Sequence, residues 1–341
     1  MNILGIGSTL PEQTVTNRQL EEILETSDAW IRSRTGIAQR RVMKGSELTN
    51  LALSAAQKAL LDAGLNGADL DMILVATTMG DYVFPSLSCL MQEGIGALCP
   101  AMDLHAACAG FIYALETADS FIKAGKAKHI LVVGAEAITR LANWNDRTTC
   151  VLFGDGAGAV VVGAGEGLLA TRLTARTDKD VLYMLAEPGN SPFTNQPDEA
   201  PAGVKMQGQE VFRFAVTQSI EDLTWVADIA GKALQEMDWV LLHQANRRII
   251  DAVRQRLKLD PARVPGNIHR TGNTSAASIP LLLDELYRAG LLEPGQLIAM
   301  SAFGAGLVSG ACVLRWGKEP PDKLTPAEDL FSLPVNITPE T

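Results

Sequence analysis

The feature that most limits what this chain can fold into is an internal repeat. Residues 103–125 (DLHAACAGFIYALETADSFIKAG) align with residues 267–290 (NIHRTGNTSAASIPLLLDELYRAG). Cys108 and Asn273 precede the glycine that ends each segment by the same distance, so we expect them at equivalent positions, each at the start of a helix. A duplicated fold of this kind brings two helix N-termini near its pseudo-twofold axis, where they can form one shared site.

The pattern along the rest of the chain predicts an α/β fold. Strands that are apolar almost throughout alternate with amphipathic helices, which is typical of sheets covered by helices on both faces. The predicted helices are 50–63, 108–124, 226–236, 245–257 and 275–289, and the predicted strands are 71–78, 100–107, 129–134 and 238–243, with two more around a glycine-rich turn at 150–163 and others at 296–314.

One segment has the composition of a membrane span. Residues 297–314 are 18 residues without a charge, which is about the minimum that crosses a bilayer as a helix. Three glycines and two serines interrupt the run. We therefore predict two buried strands joined by a glycine turn and no membrane association.

Length, charge and cysteine content further limit the class of protein to which this chain can belong. The 341 residues exceed one ordinary domain, and we predict halves at 1–165 and 166–316 and a proline-rich tail at 317–341, with a loop at 186–203. Lys and Arg number 29 against 39 Asp and Glu, a net charge of −10, which disfavours nucleic-acid binding. Five cysteines without a C-x-x-C pair predict reduced thiols and a cytoplasmic protein.

Cys108 is the sharpest candidate for chemistry. A thiol at a helix N-terminus lies at the positive end of the helix dipole, which lowers its pKa and favours the thiolate. His243 at the end of a strand and Asn273 in a turn of small residues can add two hydrogen-bond donors for a developing oxyanion. The alternative for each is a structural role, since free cysteines are usually buried and inert.

Three other kinds of site are disfavoured. Papain-like proteases also use Cys, His and Asn in this order, but the sequence AACAGF lacks their signature around the cysteine. The G-x-G-x-x-A motif from Gly154 to Ala159 is followed by valines where a dinucleotide site needs a helix. His105 and Cys108 form the one close His/Cys pair, and a zinc site would need further ligands nearby.

Seven segments, taken together, resemble β-ketoacyl-acyl carrier protein synthase III, a family of the thiolase superfamily. They are spread over residues 1–316 in the order found in the family. They are TSDAWIRSRTGIAQRR (26–41), HAACAGFIYAL (105–115), DRTTCVLFGDGAGAVVV (146–162), MQGQEVFRFAV (206–216), LLHQANRRII (241–250), GNTSAASIP (272–280) and AFGAG (302–306).

The resemblance implies a thiolase-like, duplicated αβαβα five-layered α/β fold that works as a homodimer in the cytoplasm. It implies a decarboxylating Claisen condensation of an acyl-CoA starter with malonyl-acyl carrier protein through an acyl-cysteine, which initiates fatty-acid synthesis. Coenzyme A is then a substrate, and neither a cofactor nor a metal is expected. The alternatives are a related condensing enzyme or acyltransferase of specialised, polyketide-like metabolism and a non-catalytic partner subunit, which the intact Cys, His and Asn disfavour.

The resemblance also assigns roles to individual residues. Cys108 is the acylated nucleophile and His243 and Asn273 support decarboxylation, while the amides of Cys108 and of the loop 303–306, Ala305 in particular, form the oxyanion hole. The expected contacts to coenzyme A and its pantetheine are Trp30, Arg34, Arg147, Gln209, Asn246, Phe303 and Gly304, with Arg248 as the docking residue for the carrier protein.

The expected carrier site lies in a basic segment. The helix and turn at 247–263 carry Arg247, Arg248, Arg254, Arg256, Lys258 and Arg263 against Asp251 and Asp260. This positive net charge suits an acidic carrier.

The sequence departs from the family where His105 replaces a small residue, where Gln209 replaces a frequent Asn and where 306–310 lacks a Trp. These departures bear on the acyl chain and the pathway, not on the Cys-His-Asn chemistry.

Overall fold

The computed structural model describes residues 1–45, 47–186, 203–326 and 330–331. The strands are β1 (Asn2–Thr9), β2 (Thr14–Thr16), β3 (Gln39–Arg41), β4 (Met72–Ala76), β5 (Ala101–Leu104), β6 (His129–Glu136), β7 (Gly156–Gly163), β8 (Leu168–Ala175), β9 (Leu182–Tyr183), β10 (Lys205–Met206), β11 (Trp239–Leu242), β12 (Leu297–Gly304) and β13 (Val308–Arg315). The helices are α1 (Asn17–Glu21), α2 (Asp28–Thr35), α3 (Leu48–Ala63), α4 (Leu87–Ile95), α5 (Gly110–Lys123), α6 (Gly208–Ile229), α7 (Arg247–Arg256), α8 (Ile268–Thr271) and α9 (Ser278–Arg288). The predicted loop at 186–203 lies, apart from its two ends, outside the described residues.

The two main sheets have the same topology. The first has the strand order β1-β7-β6-β4-β5, and the second has the order β8-β13-β12-β11. In each, the first three strands are antiparallel neighbours and the fourth runs parallel to the third. β5, the edge strand of the first sheet, has no counterpart among the described residues of the second. The matching order supports a duplication with its boundary between β7 and β8.

The elements stack in five layers. Helices α3 and α4 cover the outer face of the first sheet, and α6, with α7 beside it, covers the outer face of the second. Between the sheets lie α5 and α9, which contact strands of both. Because helices cover both faces of each sheet, strands such as β4 are buried along their whole length. This burial explains why these strands are apolar almost throughout. The charge-free run 297–314 forms the hairpin β12–β13 as predicted.

Two element predictions are wrong. The helix predicted at 226–236 is the end of the longer α6, which stops at Ile229 because Gly231 adopts a left-handed φ of 66°. In the segment 150–163 only β7 is a strand, since Cys150–Leu152 forms a 3₁₀ turn. That turn leads Phe153 into a bridge with Asn273 of the other half.

The register of the repeat also needs correction. The helices α5 and α9 end alike, each followed by a glycine with φ near 70° (Gly125 and Gly290), but α5 has 14 residues and α9 has 11. Counting back from the glycines therefore misaligns the helix starts. A 3₁₀ turn precedes each helix, Ala107–Ala109 and Ser275–Ala277, so the counterpart of Cys108 is Ala276, and Asn273 lies before its turn.

The described part of the tail is attached to the body. Lys318 Nζ donates to the Leu4 carbonyl (2.8 Å) and lies 3.3 Å from an Asp62 carboxylate oxygen. Further on, the Thr325 N–H donates to the Arg288 carbonyl. Leu330 is 1% exposed within the central core. The described residues of this segment, 317–326 and 330–331, thus contact both halves, while 327–329 and the residues after 331 lie outside the description.

Candidate active site

The backbone of the site is built from the two 3₁₀ turns. Each begins with a non-glycine residue in the left-handed region, Ala107 at φ 43° and Ser275 at φ 51°. Such backbone is costly for residues with a Cβ and is found chiefly where surrounding structure imposes it, as at active sites. The two turns contact each other, so the pair forms a single unit at the junction of the halves.

Each turn rests on the central strand of the other half, at a glycine. A Cβ on Gly304 of β12 would lie 2.7 Å from the Cys108 backbone nitrogen and 2.8 Å from the Ala107 Cβ. A Cβ on Gly134 of β6 would lie 2.5 Å from the Ala276 carbonyl oxygen. Glycine is required at both positions because no side chain fits between the turn and the strand.

A cavity of about 1280 Å³ opens at this unit and brings most of the predicted residues together. Its lining includes Cys108, His243, Asn273, Phe303, Gly304, Ala305, Trp30, Arg34, Gln209, Asn246 and Arg248. The cavity is large enough for a substrate of drug size or greater. Arg147 does not line it but holds its guanidinium over the Trp30 ring, 5.3 Å from the centroid.

The expectation of a lowered pKa for Cys108 is wrong. The pKa of this thiol is raised to about 12, chiefly by burial and in small part by the nearby Glu136 carboxylate, and the contact with the Ser275 hydroxyl offsets only part of the rise. The helix-start argument neglected the desolvation that the surrounding residues impose on the thiolate. Cys108 therefore needs help to lose its proton.

His243 is held neutral. It is 2% exposed, and burial lowers its pKa to about 3. Its Nδ1 lies 2.7 Å from Ser278 Oγ at the start of α9, and the Phe303 ring stands edge-on to it at 5.3 Å. The imidazole is thus fixed by contacts within the second half and carries no net charge at neutral pH.

Asn273 is oriented by three hydrogen bonds. Its backbone N–H donates to the Leu152 carbonyl and its carbonyl accepts from the Gly154 N–H. Its side-chain Oδ1 accepts from the Ser275 N–H at 2.9 Å. Because the oxygen is used in this way, the amide nitrogen is the group left to face the cavity.

The predicted coenzyme contacts have structural duties as well. Asn246 is the N-cap of α7: its Oδ1 accepts from the Arg248 N–H and its Nδ2 donates to the Arg34 carbonyl. Arg147 also donates to the Glu25 carbonyl, which positions it over Trp30. These bonds tie α2 to α7 and to the segment around 147 at one end of the cavity.

The segment 247–263 presents fewer positive charges to a partner than its sequence suggests. Arg247 and Arg254 both pair with Asp251, and Arg263 donates to the carbonyls of Gln235 and Met237. Arg248 and Arg256 remain exposed and line the cavity. These two arginines are the cationic groups of α7 that face its opening.

Two functional candidates escaped the sequence analysis, Glu136 and Ser275. Glu136 ends β6 and is 1% exposed, and Ser275 is equally buried. Ser275 Oγ lies 3.2 Å from Cys108 Sγ and 2.9 Å from Glu136 Oε1. The signal for Glu136 was present as a carboxylate closing an otherwise apolar strand, which rarely goes unpartnered.

Other kinds of site find little support. Across the described ranges, no group of three or more His, Cys, Asp or Glu is placed to hold a metal ion. No helix in the same ranges is long and apolar enough to cross a bilayer. The G-x-G-x-x-A motif leads into a strand and not a helix, since β7 begins at its second glycine, Gly156, and contains the valines that follow.

Known proteins similar to this chain agree on one family. Residues 102–177 match the family model described as 3-oxoacyl-[acyl-carrier-protein (ACP)] synthase III, and residues 228–316 match its C-terminal model. The chain is 46% identical over 323 residues to beta-ketoacyl-[acyl-carrier-protein] synthase III 1 of Bacillus cereus, covering 93% of this chain and 99% of that one.

Solved structures give the same answer for the fold. The 3-oxoacyl-[acyl-carrier-protein] synthase III of Aquifex aeolicus superposes with a TM-score of 0.86 at 44% identity, covering 92% of this chain and 99% of that one. The priming beta-ketosynthase of the R1128 polyketide pathway also gives 0.86, at 33% identity, covering 94% and 97%. The predicted thiolase-like fold is confirmed. The chain belongs to the 3-oxoacyl-[acyl-carrier-protein] synthase III family of condensing acyltransferases.

Proposed function

We propose that this enzyme transfers the acyl group of an acyl-CoA to Cys108 and then condenses it with malonyl-acyl carrier protein, with loss of carbon dioxide, to start a fatty acid. The observation that carries this proposal is that one cavity is lined by Cys108, His243, Asn273 and the loop 303–306. A nucleophile, two neutral donors and a backbone loop in one pocket suit acyl transfer followed by carbanion chemistry.

In the first step the sulfur of Cys108 attacks the thioester carbonyl and coenzyme A leaves. The developing oxyanion needs donors that are not already used. Neither the Cys108 N–H nor the Ala305 N–H donates to a backbone carbonyl within the described chain, and the Gly304 backbone touches the nucleophile turn. These two amides are therefore the donors we assign to the oxyanion hole, which typically contributes about 3–4 kcal/mol per donor.

In the second step malonyl-acyl carrier protein loses carbon dioxide and its enolate attacks the acyl-cysteine. The neutral His243 ring and the Asn273 amide stabilise the enolate oxygen. We assign the 2.7 Å contact between Ser278 Oγ and His243 Nδ1 to donation by the hydroxyl, the direction that leaves the ring with a proton to donate to the enolate. The ring proton is then on Nε2, where it serves as the donor to the enolate.

The end of the cavity near α2 and α7 suits coenzyme A and the carrier. Trp30 and Arg147 offer an aromatic face and a guanidinium for the adenine, and Arg34 a cation for phosphates. Gln209 and Asn246 border the pantetheine path. Arg248 and Arg256 present positive charge where an acidic carrier would approach. Coenzyme A enters as a substrate, and we propose no separate cofactor.

We propose a homodimer in the cytoplasm. Tyr82, Val83 and Phe84 are 54%, 93% and 84% exposed, and Met102 on the edge strand β5 is 37% exposed. An exposed apolar run and an open sheet edge are both liabilities unless another chain covers them, and a second copy of this chain can do so symmetrically. All five cysteines are unpaired, which suits a reducing compartment.

A condensing enzyme of specialised metabolism is the second candidate. The similarity to a polyketide priming ketosynthase favours it, as does the exposed His105 in the cavity lining, which gives that wall a polar group. The two candidates differ in the acyl group and the acceptor, and they share the acyl-cysteine.

Intact-mass measurement after incubation with a panel of acyl-CoAs tests the proposal. We expect a single acyl adduct on Cys108, absent in Cys108→Ser, and release of carbon dioxide once malonyl-acyl carrier protein is added. An adduct without carbon dioxide release would favour the second candidate. No adduct with any donor would refute both.

A further inference from the structure

The Cys108 thiol has a proton to lose and a buried carboxylate to receive it. Ser275 Oγ stands between them, 3.2 Å from Cys108 Sγ and 2.9 Å from Glu136 Oε1. A hydroxyl has one hydrogen, so Ser275 cannot donate to both neighbours at once. When Ser275 donates to the ionised Glu136, the contact with Cys108 is made by the thiol hydrogen pointing at Ser275 Oγ. The three groups then form a directed chain from sulfur to carboxylate.

Glu136 is held in place by donors on each side. Thr78, which follows β4, donates to it through its N–H (3.0 Å) and its Oγ1 (2.9 Å). The Ala276 N–H and Ser275 Oγ donate from the turn of the other half. The titratable group beyond Ser275 is the Cys108 thiol, whereas His243 is bonded to Ser278 on a separate path.

We propose that Ser275 and Glu136 form a proton relay that activates Cys108: as sulfur attacks, the thiol proton passes to Ser275 Oγ while the Ser275 proton passes to Glu136. This inference rests on Cys108 being the nucleophile of the proposed function. The S–H bond of Cys108 breaks, and the electron pair left on its sulfur forms the bond to the thioester carbon. Collapse of the tetrahedral intermediate then breaks the bond between that carbon and the sulfur of coenzyme A. Glu136 returns its proton through the same hydroxyl, and coenzyme A leaves as the thiol.

The electrostatics suit the relay. Burial raises the pKa of Glu136 to about 7, partly offset by the hydrogen bonds from Thr78, Ser275 and Ala276. Burial raises that of Cys108 to about 12. A base that titrates near neutrality is well matched to receive a proton at physiological pH and to return it. Ser275 touches the reacting sulfur, and Glu136 acts through it as a positioning and proton-holding residue.

The test measures thiol reactivity without substrate. Alkylation of Cys108 by iodoacetamide is followed by peptide mass from about pH 5.5 to 10.5, with the exposed Cys89 of the same chain as an internal reference. In the unmodified enzyme we expect the Cys108 rate to rise through a step near pH 7, where Glu136 ionises. In Ser275→Ala and Glu136→Gln we expect this step to vanish, with a loss of at least about tenfold near pH 8.

Two further variants separate the relay from a structural role. Thr78→Val removes one hydrogen bond that lowers the pKa of Glu136, so the step should move to higher pH. Glu136→Asp should restore part of the step. The matched control is Asp284→Asn, another buried carboxylate that bonds to Ser8 and Arg288 and does not line the cavity; it should leave the step in place.

The proposal is overturned if Ser275→Ala and Glu136→Gln lower the Cys108 rate by one factor at all pH values, or if they keep the step. An unmoved step in Thr78→Val would contradict the part given to Glu136. Because iodoacetamide replaces the acyl donor, this result is independent of whether acyl-CoA acylates the enzyme. Failure of the relay and failure of the proposed function are thus distinguishable.

Discussion

The turn Ala107–Ala109 in the first half and the turn Ser275–Ala277 in the second have a similar backbone, since each starts with a residue in the left-handed region. They differ in the position that carries the polar side chain. Where the first turn starts with the methyl of Ala107, the second starts with the hydroxyl of Ser275. Where the first has the thiol of Cys108, the second has the methyl of Ala276. The two turns thus share a backbone that costs energy to form, and the proposed function divides the chemistry between them: it assigns the nucleophile to one turn and the support of that nucleophile to the other.

The largest effect should come from moving the nucleophile between the turns. We expect Cys108→Ala to lose acyl transfer by roughly 10⁴-fold or more, and the double variant Cys108→Ala, Ala276→Cys to recover none of it. Ala276 is 1% exposed and does not line the cavity, so a thiol there cannot reach a thioester. Intact-mass assays of acylation check this. Recovery in the double variant would mean that the two turns are interchangeable.

The two glycines under the turns allow a sharper comparison. Gly304→Ala pushes on Cys108 and Gly134→Ala pushes on Ala276, and overpacking of this kind costs about 1–3 kcal/mol of stability. We expect Gly304→Ala to lose acylation by roughly 10²-fold, as for a lost oxyanion donor. Gly134→Ala should impair malonyl decarboxylation more than the stability loss explains. Urea unfolding and the two half-reactions, assayed separately, provide the measurements, and equal losses in both variants would contradict the division of labour.

The second half should also be the side on which the carrier protein docks. We expect Arg248→Glu to raise the KM for malonyl-acyl carrier protein by about tenfold, within the range for truncating or reversing a charge at an interface. Acylation by acyl-CoA should be unchanged. Lys258→Glu is the matched control, because Lys258 is exposed just after α7 and does not line the cavity. Steady-state kinetics measure the KM of both variants. A similar rise in KM for Arg248→Glu and Lys258→Glu would mean that the net charge of the segment, and not Arg248 in particular, attracts the carrier.

The smallest effect concerns the pH dependence of stability. Burial lowers the pKa of His243 to about 3, below the value near 6.5 in an unfolded chain. Between about pH 3 and about pH 6.5 the unfolded chain binds one more proton at His243 than the folded chain does. The stability that His243 contributes by staying neutral is therefore fully present above about pH 6.5 and is lost as the pH falls. In His243→Gln the free energy of unfolding should change less steeply with pH, by at most about 1.4 kcal/mol per pH unit.

The control for this measurement is His105→Gln, since His105 is exposed. Urea unfolding between about pH 6.5 and 4.5 compares the three proteins on the same background of carboxylates. A slope unchanged by His243→Gln would indicate that the imidazole is protonated in the folded state, which would undermine its role as a neutral donor.

Much of this architecture could be predicted from local pattern. The apolar period and the glycines of 297–314 were enough for the hairpin, and Cys108, His243 and Asn273 could be grouped by residue type and by resemblance. The bridge from Glu136 to Ser275 could not, because it joins residues 139 apart in the chain. The pKa of Cys108 was mistaken for a related reason: the helix start is a local feature, but the burial that dominates it is contributed by the other half.

The dependence of each turn on the opposite half has a consequence for synthesis. Chains emerge N-terminal end first, and segments fold as their partners become available. The thiol of Cys108 precedes Ser275 by 167 residues, and the glycine of β12 under its turn emerges later still. A nascent or truncated chain therefore carries Cys108 without the residues proposed for its relay and oxyanion hole and without most of the cavity lining, so we expect acyl transfer only when nearly the whole polypeptide has been translated.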